Sequence, residues 1–109
     1  MALPQISMSQ LHAKLGSLSQ DEELILDVRR PDEFAAGHVP GSRNIPHDQI
    51  AAYADELRHY RHIYIHCRSG KRAQMAAATL QAAGLENLVC IAGSGMEDWV
   101  ASGYPTEQE

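Results

Sequence analysis

The sequence predicts an α/β domain in which a mainly parallel sheet is covered by helices on both faces. Short β-favouring runs alternate with helical patterns along the chain, and such alternation requires crossover connections between parallel strands. A length of 109 residues fits one domain, and a hydrophobic content of 44% is enough for a substantial core. No internal repeat, linker or low-complexity tract interrupts the pattern. The expected domain is therefore 1–109, with a core from about 5 to 104 and a polar tail over 105–109.

The elements follow in order. "MSQLHAKLG" (8–16) reads as a short helix with Ser9 as N-cap, Leu11 and Leu15 on one face, and Gly16 as the stop. "ELILDVR" (23–29) is a compact strand ending in charge. "PDEFAAG" (31–37) opens a helix with Pro31 in its first turn and closes it at Gly37. "SRNIP" (42–46) is a short extended piece between Pro40-Gly41 and Pro46. Over 47–60, Ile50, Tyr53, Ala54 and Leu57 stand at helical spacing. "HIYIHC" (62–67) alternates, placing Ile63, Ile65 and Cys67 on one face and His62, Tyr64 and His66 on the other. "RAQMAAATLQAAG" (72–84) is an alanine-rich helix closed by Gly84, "NLVCIAG" (87–93) an apolar strand, and "MEDWVASG" (96–103) a last short helix. The tail "YPTEQE" is polar and is expected to fray. The most apolar strands, 24–28 and 88–92, are expected near the middle of the sheet.

Composition excludes several function classes. No apolar run approaches the roughly 20 residues that a membrane helix needs. The N-terminus has neither a basic segment nor a sustained apolar stretch, so it does not read as a secretory signal, and a cytoplasmic location is the expectation. A net charge of −5 argues against nucleic acid as a partner. The two cysteines, Cys67 and Cys90, are too few for a disulfide scaffold and form no C-x-x-C pair. His59, His62 and His66 lie close in sequence but lack a partner at ligand spacing, so no metal is expected. Against the acidic background, three of the nine Lys and Arg residues (Arg68, Lys71 and Arg72) fall within five positions.

That reversal of sign surrounds Cys67. In parallel α/β sheets ligands bind beyond the carboxyl ends of the strands, and Cys67 stands where a strand ends, about five residues before a helix. Backbone N–H groups of such a loop, with the helix N-terminus, form a cradle for an anion. A free thiol is mostly protonated at neutral pH, whereas amides, a helix terminus and cations favour the thiolate. Gly70 lets the loop curl around the sulfur. Cations at a helix N-terminus oppose its dipole, so their presence makes sense beside a negative charge. Cys90, inside an apolar strand, reads instead as a small buried hydrophobe. Asp27 and Glu33 fit structural roles, bonding loops or pairing with arginines, better than an acid/base pair. Trp99 and Phe34 read as packing residues, and His38 as a turn cap.

Three stretches together resemble a single-domain rhodanese, a member of the thiosulfate sulfurtransferase family. "LILDVRRPDEFAAGHVPGSRNIP" (24–46) resembles the upstream motif, "CRSGKR" (67–72) the six-residue active loop, and "GMEDWVASGYP" (95–105) the C-terminal motif around Trp99. The resemblance covers about residues 20 to 106. One departure is Gly93-Ser94-Gly95, where the family usually has paired glycines; Ser94 is expected to alter a turn rather than the chemistry. The resemblance implies a three-layer α/β/α fold around a five-stranded, mainly parallel sheet. It implies that Cys67 takes a sulfane sulfur from thiosulfate or a persulfide donor, carries it as a persulfide, and passes it to cyanide or a thiol. Arg68, Ser69, Gly70, Lys71 and Arg72 would bind the donor, the three cations attracting its sulfonate end, while Asp27, Arg29 and Glu33 would support the loop. No metal or organic cofactor is implied, and protein persulfide partners are possible acceptors or donors.

Two other classes compete. Cysteine phosphatases and arsenate reductases resemble Cys-x5-Arg, a ring wide enough for a tetrahedral oxyanion. Here four residues separate Cys67 from Arg72, and position 73 is alanine. The shorter loop suits a sulfur atom, and His66 then reads as a strand residue. A persulfide carrier or a regulatory binding module remains open as an alternative, since a carrier needs the same cradle.

Overall fold

The computed structural model describes residues 3–19 and 21–108. The expectations touching Met1, Ala2, Gln20 and Glu109 lie outside the described residues. The elements run α1 (Met8–Lys14), β1 (Glu23–Asp27), α2 (Pro31–Ala36), β2 (Arg43–Asn44), α3 (Ala54–Leu57), β3 (His62–His66), α4 (Lys71–Ala82), β4 (Leu88–Cys90) and α5 (Met96–Ala101). All strand pairings are parallel, in the order β2-β1-β3-β4.

Among the described residues the expected five strands are four. The fifth place is taken by a single bridge, in which Cys90 N–H donates to the Pro4 carbonyl at 2.9 Å and Ile6 N–H donates to the Cys90 carbonyl at 3.2 Å. It cannot lengthen into a strand, because Pro4 has no N–H to give and Ser7 already caps α1. The strand at 88–92 also lies at the edge of the four rather than in the middle, and β1 and β3 are the central pair. Its apolar run reflects burial on both faces: Leu88 and Cys90 join one core cluster, Val89 and Ile91 the other.

Alternation along the strands builds the two layers. Leu24, Leu26, Ile63 and Ile65 pack against α3 and α4, whereas Ile25 and Tyr64 pack against α1 and α5. Each fully buried leucine or isoleucine contributes about 1.5–3 kcal/mol, and α4 gains most of its support this way through Leu80. Its other inward residues, Ala73, Ala76 and Ala77, are small and buried. The helix therefore lies close to β3, and its first turn comes beneath Cys67.

Smaller departures have local causes. The N-cap of α1 is Ser7 rather than Ser9: Ser7 Oγ accepts from Gln10 N–H and Gln10 Oε1 accepts from Ser7 N–H, a reciprocal capping box. The helix expected over 47–60 reduces to a 3-10 turn at Ile50–Tyr53 followed by α3. The tail over 105–108 is pinned rather than frayed. His38 and Glu107 exchange backbone hydrogen bonds of 2.9 Å each way, and the buried Trp99 Nε1 donates to the Pro105 carbonyl at 2.7 Å.

Candidate active site

β3 ends at His66 and α4 starts at Lys71, so Cys67 to Gly70 form the turn between them at the carboxyl edge of the sheet. The Cys67 side chain continues the inward-facing row of Ile63 and Ile65, and the residue is only 1% exposed. Its Sγ accepts from Gly70 N–H at 3.1 Å and from Ala73 N–H at 3.3 Å. Two backbone donors thus converge on one sulfur at the turn between β3 and α4.

Two glycines shape the loop by different means. Gly70 has φ 109°, in the left-handed region, and a Cβ there would lie 2.7 Å from the Gly93 nitrogen. Gly95 has extended backbone; its constraint is contact, because a Cβ would fall 2.4 Å from the carbonyl oxygens of both Cys67 and Arg68. The closeness lets α5 hold the outer side of the loop. Met96 N–H donates to the Cys67 carbonyl at 2.9 Å and Glu97 N–H to the Arg68 carbonyl at 3.2 Å. Amides therefore face the sulfur, and these two carbonyls face α5. Ser94 Oγ accepts from Met8 N–H at 3.2 Å, tying the neighbouring turn to α1.

The charged residues are mostly paired. Arg72 donates to both oxygens of Glu33, at 2.6 and 3.0 Å, and Glu33 also accepts from Arg30 N–H at 3.1 Å. The Arg72 guanidinium holds the Glu33 carboxyl at about 2, well below its ordinary value. Arg68 donates from Nε to Glu97 on the exposed side of the loop. Among the described residues Lys71 has no ion-pair partner, and it is exposed. Ser69 is exposed at the turn. Below the loop, Arg29 Nε and Nη2 grip Asp27 at 2.7–3.0 Å, and Nη2 also donates to the Gly37 carbonyl at 2.8 Å. Asn44 Nδ2 donates to the carbonyls of Asp27 and Arg29 at 3.0 and 2.9 Å, fixing the exit from β1.

His66 is fully buried in β3, and neither ring nitrogen has a hydrogen-bond partner. Burial pushes its imidazole toward the neutral form, against the pull of Asp27. Burial likewise raises the Cys90 thiol. His38 Nδ1 bonds the Phe34 carbonyl at 2.8 Å and its ring stacks on Phe34. Among the described residues no group of three or more His, Cys, Asp or Glu is placed to hold a metal ion, and no helix is long and apolar enough to cross a membrane.

An open groove of about 440 Å³ runs from the loop along α5, lined by Arg29, Glu33, Arg68, Met96, Glu97 and Val100 among others. Glu97 and the contact role of Gly95 were not foreseen from the sequence. Both act on residues 27 to 29 positions away, and no local pattern announces such a partner. A second cavity, of about 190 Å³, lies at the amino end of β1 near Leu15, Glu23 and Pro40, away from Cys67.

A buried sulfur held by two inward N–H groups is placed to interact with backbone donors rather than with side-chain charge. The description of the rhodanese-like domain matches residues 7–102. A putative sulfur carrier protein, YrkF of Bacillus subtilis, is 38% identical over 99 residues, covering 90% of this chain and 51% of that protein. The thiosulfate sulfurtransferase GlpE of Pseudoalteromonas translucida is 33% identical, covering 94% of this chain and 93% of that protein. Among solved structures, the rhodanese-like domain of the Anabaena protein Alr3790 superposes with a TM-score of 0.83 at 28% identity, over 99% of this chain and 81% of that one. The chain spans only about half the length of YrkF.

Proposed function

The chain belongs to the rhodanese-like domain family, and from that premise we propose that it is a sulfurtransferase working through a persulfide on Cys67. The observation that carries this reading is the pair of amides, Gly70 N–H and Ala73 N–H, converging on Cys67 Sγ where β3 meets α4. The thiolate attacks the outer sulfur of thiosulfate, the S–S bond breaks, and sulfite leaves with the electron pair. Cyanide or a thiol then attacks the terminal sulfur and regenerates the Cys67 thiolate. Ser69 and Gly70 shape the donor site with the basic residues, and the inward amides stabilise the anionic sulfur throughout.

The ion pairs divide the work among the basic residues. Lys71 is the cation free to meet a sulfonate. Arg72, held by Glu33, fixes the first turn of α4 and thus the Ala73 amide. Asp27 and Arg29 brace the loop from below. None of these steps requires a metal or an organic cofactor.

A carrier role, in which protein persulfides load and unload Cys67, uses the same cradle and is favoured by the name of the Bacillus subtilis relative. The four-residue spacing between Cys67 and Arg72 weighs against phosphate or arsenate chemistry. Intact mass after incubation with thiosulfate tests the reading: one sulfur atom added, and lost on treatment with cyanide, is expected. An unchanged mass, with turnover of p-nitrophenyl phosphate, would overturn it. Comparing thiosulfate with a protein-bound persulfide as donor separates enzyme from carrier.

A further inference from the structure

We infer that Glu97 is a specificity-determining residue. By engaging Arg68 it withdraws one loop cation from the entering donor and tunes the site toward singly charged organic sulfane donors over the thiosulfate dianion. This rests on the reading of Cys67 as the sulfur-carrying residue.

Three cations stand within the loop, yet two are committed to carboxylates: Arg72 to Glu33 and Arg68 to Glu97. Of the three loop cations only Lys71 has no carboxylate partner among the described residues. A dianion entering here meets nearly balanced charge, within a chain whose net charge is −5. Glu97 is well placed to hold Arg68. Its own N–H is bonded to the Arg68 carbonyl, so the two backbones cannot separate while the loop is intact. Beside the pair the groove turns apolar, with Met96, Val100 and Ala101 in its wall and Val100 61% exposed. An apolar arm on the donor can cover that surface. Sulfate-like oxygens of thiosulfate cannot. A donor with one negative charge and an organic arm therefore matches both the charge and the wall.

The test compares thiosulfate with benzenethiosulfonate. Both leave the same persulfide on Cys67; thiosulfate releases sulfite, and benzenethiosulfonate releases benzenesulfinate, each leaving with the electron pair of the broken S–S bond. Glu97→Gln should lower the KM for thiosulfate by more than twofold and up to about fivefold, the ceiling set by an exposed ion pair. The KM for benzenethiosulfonate should move less than twofold. Adding Arg68→Ala to Glu97→Gln should cancel the gain. A gain that survives Arg68→Ala would mean that Glu97 merely repels the dianion, and the inference fails. An equal change for both donors, or none for thiosulfate, also overturns it. These outcomes leave the sulfurtransferase reading standing, whereas no sulfur on Cys67 from either donor would remove both.

Discussion

Replacing Glu33 by Gln removes one charge from the network under the loop and little else. The amide of Glu33→Gln retains an oxygen for the Arg30 N–H, so the cap of α2 survives. What is lost is the two-pronged bond to Arg72 at 2.6 and 3.0 Å, on a carboxylate whose side chain is only 18% exposed. A carboxyl moved from 4.5 to about 2 contributes at most about 3 kcal/mol of stability at neutral pH. Solvent screening at this partly exposed pair reduces that to about 1–2 kcal/mol. Because folding lowers this carboxyl's pKa, the stabilisation is complete above its unfolded value of 4.5 and is lost as the pH falls toward about 2. Urea unfolding of the wild type and Glu33→Gln should therefore differ by about 1–2 kcal/mol at neutral pH, and the gap should narrow as the medium is acidified below about pH 4. Arg72 lies in the turn that supplies the Ala73 amide, so sulfur loading on Cys67 should slow in the same variant. A gap that stays constant from neutral pH to about pH 3 would refute the electrostatic account.

Cys67→Ser should abolish sulfur loading with little change in the urea midpoint; activity near wild type would exclude the persulfide. Gly95→Ala should destabilise the fold by about 2–4 kcal/mol, since its Cβ would overlap two carbonyl oxygens and two α5 hydrogen bonds would stretch. A loss below about 0.5 kcal/mol in chemical denaturation would show that the contact relaxes without cost. Lys71→Ala should raise the KM for thiosulfate more than that for benzenethiosulfonate, because Lys71 is the exposed cation with no carboxylate partner among the described residues. Equal effects on the two donors would remove it from the donor site.

Much of the fold was legible because local chemistry and tertiary burial agree. The alternation in 62–67 assigns Ile63 and Ile65 to one core layer and Tyr64 to the other, and the structure has them so. Where the reading departed, two local patterns fitted the same residues. Ile50, Tyr53 and Ala54 suit a 3-10 turn as well as an α-helix, since a three-residue step satisfies both. The apolar run at 88–92 reports that both faces are covered, and says nothing of which neighbours pair along its edges. In the loop, the strand-to-helix position of Cys67 and the need for Gly70 were readable from residue types. The particular pairs were not: an arginine partner for Glu33 was expected, but not that it is Arg72, 39 positions away, and Arg68 meets Glu97 across 29. Cation counts alone overstated how positive the site is.

The bond between the outer carbonyls of the loop and α5 also bears on how this scaffold can be re-engineered. One inserted residue would give the Cys67 loop the five-residue spacing of a phosphate-sized ring. The added residue would fall between Arg68, whose carbonyl is held by the Glu97 amide, and Gly70, which packs against Gly93, so it would have to bulge between two fixed points. Gly95, wedged against the Cys67 and Arg68 carbonyl oxygens, leaves no slack to absorb the bulge. An insertion after Ser69 should therefore lower stability before it offers any phosphatase activity, and a compensating change at 94–97 should be needed to recover it. Loop length here is a property of two segments of the chain rather than one.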